Sequence, residues 1–332
     1  MRTTHRPTQS PARFRCCAPT APIRWVMHAD LLPLTSPPRL EPGARVALVA
    51  PSGPLRNVGE LEHAVSNVRA FGWEPVPGPN VLARHGYFAG DDDARAGDLR
   101  DALQDTAIDG IWCVRGGYGA TRLLPGLPID TIRAHPKALI GYSDITALHS
   151  AWQQAGLVSF HAPTARAEIP PFSRDAFAAI MNAEQSAFFA HHMPNAMTLV
   201  PGQSAGRLAG GNLTLAASLC GTPWAIDFRD AIVVLEDINE ATYRLERMLL
   251  QLRLAGAFDG CRGLLLGHFT DCPPESDDGA RSLQTVAQEF ADRIGVPAVL
   301  GAPVGHIANQ WTLPLGSLAT LDATACTLQL HR

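Results

Sequence analysis

The sequence predicts an α/β protein with two domains, and three observations indicate this fold class. From Val46 to His161, short apolar runs alternate with helix patterns, as expected where helices cover a mostly parallel sheet. The apolar runs lack polar alternation, which is typical of strands buried on both faces. The length of 332 residues fits about two domains, and the second half mixes β and α segments in a different order.

The N-terminal leader, residues 1–42, is predicted to be disordered. Five arginines precede its first acidic residue, Asp30, and prolines are frequent. A signal peptide needs a continuous apolar stretch, which this segment lacks. We therefore expect the folded part to begin near residue 43.

The first domain is predicted to span residues 43–167. A proline in the run 73–76 restricts that strand to a sheet edge. The predicted strands are residues 46–50, 73–76, 111–114, 138–142 and 158–160. Helices are indicated where apolar residues recur at helical spacing, as do Leu61, Val65 and Val68, then Leu99 and Leu103, then Ile145, Leu148 and Trp152.

The second domain is predicted to span residues 204–332, after a linker (168–203) that carries one helix. Residues 206–220 are expected to form a glycine-rich segment and then an apolar helix. Further predicted segments are strands 231–235 and 263–267, helix 242–254, an acidic loop 271–278, helix 283–293, a strand at 299–300 and short β-like segments to the end.

Ser143 lies where a predicted strand gives way to a predicted helix. The apolar run ends at Gly141, and the helix pattern begins with Ile145. A serine on such a turn projects its hydroxyl beyond the sheet, beside free backbone N–H groups, as a nucleophile requires. Taken alone, the stretch favours the simpler interpretation that Ser143 only caps the helix.

The glycine pair Gly116-Gly117 also follows a predicted strand. Backbone N–H groups of glycines can approach a substrate closely, as an oxyanion hole requires, although an ordinary glycine turn has the same sequence. In parallel sheets, ligands bind beyond the carboxyl ends of the strands. Because the glycine pair and Ser143 both follow strands, a functional role is favoured for each.

A serine nucleophile needs a base, and a carboxylate that orients the base. Glu236 is the first polar residue after the apolar run 232–235, and His306 follows Gly305 in a loop rich in glycine and proline. Each type of residue is more commonly structural when it stands alone. The competing candidates are Asp237 and Glu240 for the carboxylate, and His161 and His268 for the base.

Composition excludes several classes of function. The net charge of -4 gives no indication of nucleic acid or an anionic membrane as partner, and no apolar run approaches the length of a membrane-spanning helix. The sequence contains neither of the phosphate-binding motifs G-x-x-x-x-G-K-[ST] and G-x-G-x-x-G, and no cluster of His, Asp or Cys has metal-ligand spacing. We therefore expect no metal and no cofactor. Seven scattered cysteines without a CxxC pair fit reduced thiols in the cytoplasm.

Taken together, ordered segments from about Arg45 to Leu330 resemble the LD-carboxypeptidase family, in particular its murein tetrapeptide branch. The matching segments are Val49-Ala50-Pro51-Ser52-Gly53, Val114-Arg115-Gly116-Gly117-Tyr118-Gly119, Gly141-Tyr142-Ser143-Asp144, Gly210-Gly211-Asn212-Leu213, Gly221-Thr222-Pro223-Trp224, Leu235-Glu236-Asp237-Ile238-Asn239-Glu240, Arg247-Met248-Leu249, Gly305-His306 and Thr312-Leu313-Pro314-Leu315-Gly316.

The resemblance implies a metal-free serine peptidase with an N-terminal flavodoxin-like domain, a C-terminal mixed β/α domain and a cleft between them. Ser143 would be the nucleophile, His306 the general base and Glu236 the residue that orients it. The oxyanion hole would use backbone N–H groups of Asp144 and of the Gly116-Gly117 loop. A homodimer is expected. Ile145 replaces the second glycine of the G-x-S-x-G pattern, which argues against an α/β-hydrolase.

Three functional hypotheses follow. The leading one is a cytoplasmic carboxypeptidase that cleaves the bond between an L-centre and the terminal D-Ala of a murein tetrapeptide during peptidoglycan recycling. Its substrate ends in a carboxylate, for which Arg115 and Asn212 are the candidate contacts. The second is a microcin C immunity peptidase of the same family. The third is a non-catalytic binding protein on an amidotransferase-like scaffold, which predicts that Ser143, Glu236 and His306 lie far apart.

Overall fold

The structure is a computed structural model that describes residues 34–181, 190–193, 195–273 and 281–331. The first half of the described chain alternates strands and helices. In chain order its elements are β1 (Arg45–Val49), α1 (Val58–Ala70), β2 (Glu74–Pro77), α2 (Asp92–Gln104), β3 (Gly110–Cys113), α3 (Ala120–Leu123), α4 (Ile129–Ala134), β4 (Ala138–Gly141), α5 (Thr146–Ala155) and β5 (Ser159–His161).

The first sheet contains five parallel strands in the order β2-β1-β3-β4-β5. This is the flavodoxin-like order, in which the chain reverses its direction of progress across the sheet between β1 and β3. The loops that follow β1 and β3 therefore diverge and leave a crevice at their carboxyl ends, and Ser143 follows the neighbouring strand β4. The predicted α/β class and the flavodoxin-like arrangement are confirmed.

The second half builds a mixed sheet covered by helices. Its elements are α6 (Pro171–Met181), β6 (Ala190–His192), β7 (Met197–Val200), β8 (Gln203–Asn212), α7 (Leu213–Leu219), β9 (Ala231–Ile238), α8 (Thr242–Leu254), β10 (Gly263–Thr270), α9 (Leu283–Ile294), β11 (Ala298–Leu300), β12 (Leu313–Leu315), β13 (Leu318–Asp322) and β14 (Thr327–Leu330).

Eight described strands form the second sheet, in the order β6-β14-β13-β8-β9-β10-β11-β7. Strands β8, β9, β10 and β11 run parallel, and the outer strands pair antiparallel. The parallel strands are nearly continuous apolar runs because helices α7, α8 and α9 cover one face, with Leu245, Leu249 and Phe290 in the core between them. This sheet brings the carboxyl end of β9, where Glu236 lies, toward the first sheet.

Strand β8 is a correction to the sequence analysis, which expected only a glycine-rich segment before a helix. Gly206 and Gly210 lower strand propensity, but the backbone of β9 approaches so closely that a side chain would not fit. A Cβ atom on Gly210 would lie 2.0 Å from the carbonyl oxygen of Val234. The glycines therefore mark close strand packing rather than a loop.

The predicted linker, residues 168–203, is also more structured than expected. Helix α6 packs on the first sheet, where the Phe177 ring stacks on Trp112 with centroids 4.8 Å apart. Strands β6 and β7 join opposite edges of the second sheet. Neither strand is evident in the sequence, because an edge strand of three or four residues shows little periodicity.

Two segments from outside the predicted first domain pack on the first sheet. Strand β12 pairs antiparallel with β5, so part of the predicted second domain completes the first sheet. The predicted disordered leader falls outside the described residues up to position 33. Residues 34–42 instead lie against the first sheet, where Leu40 is 4% exposed and its carbonyl accepts a hydrogen bond from the Trp73 indole.

Within the described ranges, no helix is both long and apolar enough to cross a membrane. Residues 274–278 of the predicted acidic loop lie outside the described residues.

Candidate active site

Ser143 lies in a strained turn between β4 and α5. Its φ angle is 66°, and the chain passes from β4 into a single 3-10 turn, Ser143–Ile145, before α5 begins. For a residue with a side chain, this left-handed conformation costs about 1–2 kcal/mol. The turn is held by the surrounding structure, which is the situation in which strain marks a functional position.

The loop after β3 approaches Ser143 at Gly116. A Cβ atom on Gly116 would lie 3.0 Å from the Ser143 Cβ and 3.2 Å from its Oγ. Only glycine allows the backbone to come so near the hydroxyl. The neighbouring Gly117 has a φ of 114°, which glycine adopts readily.

His306 and Glu236 complete a series of hydrogen bonds with Ser143. His306 Nε2 is 3.1 Å from Ser143 Oγ, and His306 Nδ1 is 2.8 Å from Glu236 Oε2. An ionised carboxylate can only accept, so Nδ1–H donates to Glu236 and leaves the Nε2 lone pair to accept from the Ser143 hydroxyl. This is the arrangement in which an imidazole takes a proton from a serine.

Glu236 is fully buried, at 0% exposure, and its orientation is fixed by two neighbours. It is the register partner of Asn212 in the β8–β9 pair, and Asn212 Nδ2 donates to Glu236 Oε1 at 3.3 Å. On the other side, a Cβ atom on Gly305 would lie 2.9 Å from Glu236 Oε2. The glycine before His306 therefore lets the histidine loop close onto the carboxylate.

The His306 loop is held by residues that the sequence analysis did not identify. Thr270 Oγ1 donates to the His306 carbonyl at 3.1 Å, and the His306 ring lies 4.8 Å from the Tyr142 ring. In α6, Ser173 Oγ donates to Ala308 O and accepts from Gln310 N, both at 2.8 Å. No sequence pattern links Ser173 to a loop more than a hundred residues away, since the contact depends on where α6 packs.

The glycine loop is braced from beneath. Gly53 N donates to Gly116 O at 3.0 Å, and the buried Arg95 donates from Nη1 to the carbonyls of Pro51 and Gly119. The Asp144 carboxylate accepts from Ala120 N at 2.8 Å, and burial raises the pKa of Asp144. The Asp144 side chain therefore forms a buried hydrogen bond within the protein. The backbone N–H of Asp144 lies at the start of a helical turn, where such groups lack intrahelical partners.

The competing candidates lie outside the Ser143–His306–Glu236 series. Asp237 accepts from Asn212 and from the backbone and hydroxyl of Thr214, and Glu240 lies 3.5 Å from Arg244. His161 is buried with no hydrogen-bond partner for its ring within the described ranges. Burial lowers the pKa of His268. The hypothesis of widely separated Ser143, Glu236 and His306 disagrees with the measured distances.

The two predicted substrate contacts differ in their surroundings. Asn212 is 3% exposed, and its side-chain Nδ2 donates to Glu236 and Asp237. Its side-chain oxygen, Oδ1, caps α7 by accepting from Leu215 N. Its amide hydrogens are therefore engaged inside the protein, and its contact with substrate stays a prediction. Arg115 is half-buried beside the glycine loop and donates to Pro54 O. In the described residues, no group of three or more His, Cys, Asp or Glu is arranged to hold a metal ion.

Two buried histidines lie behind the site. His149 donates from Nε2 to Gly141 O and accepts at Nδ1 from the Ser159 hydroxyl, both at 2.9 Å. Burial lowers the pKa of His149 to about 4 and that of His161 to about 3. Both are therefore neutral in the folded protein at pH values where the unfolded chain protonates them.

Acid should destabilise the protein through these two groups. Below the ordinary histidine pKa of 6.5, the unfolded chain binds protons that folded His149 and His161 do not. The free energy of unfolding should fall as pH drops from about 6.5 to about 4, by up to about 1.4 kcal/mol per pH unit for each group. Urea unfolding over this pH range measures the slope. His161→Phe should make the slope shallower, and an unchanged slope would contradict the assignment.

The fold and the Ser–His–Glu series define the protein as a serine hydrolase. Comparisons with known proteins identify the family within that class. Residues 46–162 match the LD-carboxypeptidase N-terminal domain, and residues 205–321 match the LD-carboxypeptidase C-terminal domain. The chain is 35% identical to the murein tetrapeptide carboxypeptidase of Pseudomonas aeruginosa over 290 residues. This alignment covers 84% of the present chain and 93% of the relative.

Two further relatives support the same assignment. The crystal structure of muramoyltetrapeptide carboxypeptidase from Oxalobacter formigenes superposes with a TM-score of 0.74 at 30% identity, covering 86% of this chain and 98% of that one. The microcin C7 self-immunity protein MccF of Escherichia coli is 27% identical over 270 residues, 71% of this chain and 77% of the relative. The chain belongs to the LD-carboxypeptidase family, and it is a serine-type carboxypeptidase.

Proposed function

We propose that this enzyme is a cytoplasmic, homodimeric LD-carboxypeptidase that removes the terminal D-Ala from murein tetrapeptides during peptidoglycan recycling. The observation that carries the proposal is the series Ser143–His306–Glu236, with the distances of 3.1 and 2.8 Å that proton transfer requires. The names of the Pseudomonas and Oxalobacter relatives support the substrate. The free cysteines among the described residues support a reducing compartment, and the dimer rests on the family resemblance.

In this mechanism Ser143 Oγ attacks the carbonyl carbon of the L-centre residue while His306 Nε2 takes the hydroxyl proton. Backbone N–H groups of Gly116, Gly117 and Asp144 stabilise the oxyanion that forms. His306 then gives its proton to the D-Ala nitrogen, the C–N bond breaks and D-Ala leaves. Water, activated by His306, hydrolyses the acyl-enzyme and releases the shortened peptide. Throughout, Glu236 stabilises the imidazolium and fixes its tautomer.

The purified enzyme should release D-Ala from a synthetic murein tetrapeptide and leave a D-Ala-D-Ala pentapeptide intact. The physical reason is that the scissile bond joins an L-centre to D-Ala in the tetrapeptide, whereas the last bond of the pentapeptide joins two D-centres. Mass spectrometry of both incubations measures the result. Release of D-Ala from the pentapeptide, or from neither peptide, would contradict the proposal.

A microcin immunity function is the second candidate, because MccF is also a relative. The identity to MccF is 27%, compared with 35% to the murein tetrapeptide carboxypeptidase. We therefore favour the murein peptide as substrate. Hydrolysis of an acyl-sulfamoyl adenylate at a rate above that of the tetrapeptide would reverse this order.

A further inference from the structure

Four arginines from separate segments surround the loop between β1 and α1. We call Arg56, Arg84, Arg115 and Arg166 the arginine cluster. Arg56 belongs to the loop itself, and Arg84 Nη2 donates to the loop carbonyl of Leu55 at 3.0 Å. Arg115, which follows β3, donates from Nη1 to the carbonyl of Pro54. The loop thus gathers side chains from three parts of the first domain.

Arg166 joins the cluster through Glu60 in the first turns of α1. Arg166 Nη1 is 3.0 Å from Glu60 Oε1, and Arg56 Nε lies 4.0 Å from the same oxygen. One carboxylate is therefore shared by two guanidinium groups. Elsewhere on the surface, Arg133 and Arg262 each have an aspartate of their own, Asp130 and Asp230.

The cluster holds more positive than negative charge in a partly desolvated place. Among the described residues, Glu60 is the only carboxylate that forms an ion pair with any of the four arginines, and it pairs with Arg56 and Arg166 alone, although the whole chain carries a net charge of -4. Burial, and then the positive charges of Arg166, Arg56 and Arg84, lower the pKa of Arg115 despite the opposing effect of Glu60. An anion placed here would relieve repulsion that the protein itself leaves in part uncompensated.

Arg115 connects the cluster to the loop that contacts the nucleophile. Gly53 N donates to Gly116 O at 3.0 Å, and a Cβ atom on Gly53 would lie 3.5 Å from Arg115 Nε. Gly116 in turn contacts Ser143. The loops after β1 and β3 also border the point where the strand order reverses, which is where ligands bind in open α/β sheets.

We propose that the arginine cluster is a subsite for a carboxylate group of the peptide substrate, with Arg115 and Arg166 as its main contacts. This inference rests on the proposed function and names the part of the substrate that the site reads. Guanidinium groups bind carboxylates through two parallel, charge-assisted hydrogen bonds. The carboxylate has two possible sources on such a peptide: the terminal group of D-Ala, one residue beyond the cleaved bond, or an acidic group on the acyl side.

The test measures peptide binding in a Ser143→Ala background, so that no peptide is consumed. Three tetrapeptides are titrated by calorimetry: one with all carboxylates free, one with an amidated C-terminus, and one with the internal carboxylate amidated. Arg115→Gln and Arg166→Gln should each weaken binding of the free peptide about 10- to 100-fold, as expected for loss of a charge-assisted hydrogen bond. Arg115→Lys, which keeps the charge but not the fork, should fall between.

Arg262→Gln is the matched control, because it removes an exposed arginine with its own aspartate at the amino end of β10. It should bind all three peptides like the parent. The cluster variants should bind one amidated peptide no worse than the parent does, and that peptide identifies which carboxylate the cluster reads. Equal weakening toward all three peptides, or parental affinity for all, would overturn the subsite.

Release of D-Ala is recorded separately with the nucleophile intact. Release by the unsubstituted enzyme, combined with unchanged affinities in the arginine variants, would refute the subsite and leave the proposed function standing. Absence of release would refute the proposed function. In that case the affinities still decide the subsite: charge-dependent binding supports it, and no binding of the free peptide overturns it.

Discussion

Ser143→Ala should lower kcat for D-Ala release by about 10⁴-fold or more, with a small change in KM. The variant removes the only atom proposed to form the covalent intermediate, and His306 and the oxyanion groups cannot act without it. Residual turnover then reflects binding and oxyanion stabilisation alone. Steady-state kinetics on the tetrapeptide measures the loss, and turnover within tenfold of the parent would exclude Ser143 as nucleophile.

A second variant at the same position separates loss of chemistry from loss of folding. Because Ser143 has a φ of 66°, alanine keeps the backbone strain, whereas glycine relieves it. Ser143→Gly should be inactive like Ser143→Ala and more stable than it by about 1 kcal/mol in urea unfolding. Two inactive variants that differ in stability in this direction would show that activity is lost through the hydroxyl.

Glu236→Gln should lower kcat about 10³- to 10⁴-fold. The amide is nearly the same size, but it no longer balances the positive charge that His306 gains when it takes the serine proton. In a fully buried position, this electrostatic loss is not offset by solvent. The amide can also turn its NH2 group toward His306 Nδ1, which favours the wrong tautomer. Kinetics on the tetrapeptide, with circular dichroism to confirm folding, measures the effect.

The control for this prediction is Glu240→Gln, four residues further along the chain. Glu240 was a competing candidate, and its carboxylate lies 3.5 Å from the partly exposed Arg244. Its loss should leave kcat within about threefold of the parent, in keeping with the small contribution of exposed ion pairs. A large loss in Glu240→Gln with near-normal activity in Glu236→Gln would exchange their assignments.

Sequence patterns predicted the fold well where burial leaves a strong local signal. The apolar runs of β1, β3, β4, β9 and β10 and the helical spacing in α8 all correspond to elements of the structure. The failures are also local in origin. Strand β8 contains the glycines that close packing requires, and β6 and β7 are too short to show a period. For these elements, only the partner strands decide the conformation.

Local sequence is sufficient to predict the turn at Ser143: an apolar strand that ends at Gly141, a helix that starts by Thr146, and a hydroxyl between them. It also placed Gly116, Glu236 and His306 near strand ends. It left open whether Ser143 was a helix cap, because the turn has the same sequence in either case. Local periodicity indicates which face of a segment is buried, but it does not indicate which other segment that face packs against.

Which of these residues come into contact depends on long-range packing. His306 lies 163 positions from Ser143 and 70 from Glu236, and its contact with Ser143 depends on how the second sheet packs beside the first. Strand pairing turned Asn212 toward Glu236, and the packing of α6 gave Ser173 its hydrogen bonds to the histidine loop. Within the first domain, folding brought Arg56 and Arg166 to the shared carboxylate of Glu60. Such contacts arise from burying the apolar faces of whole sheets and helices, a sum over many residues that no short stretch contains.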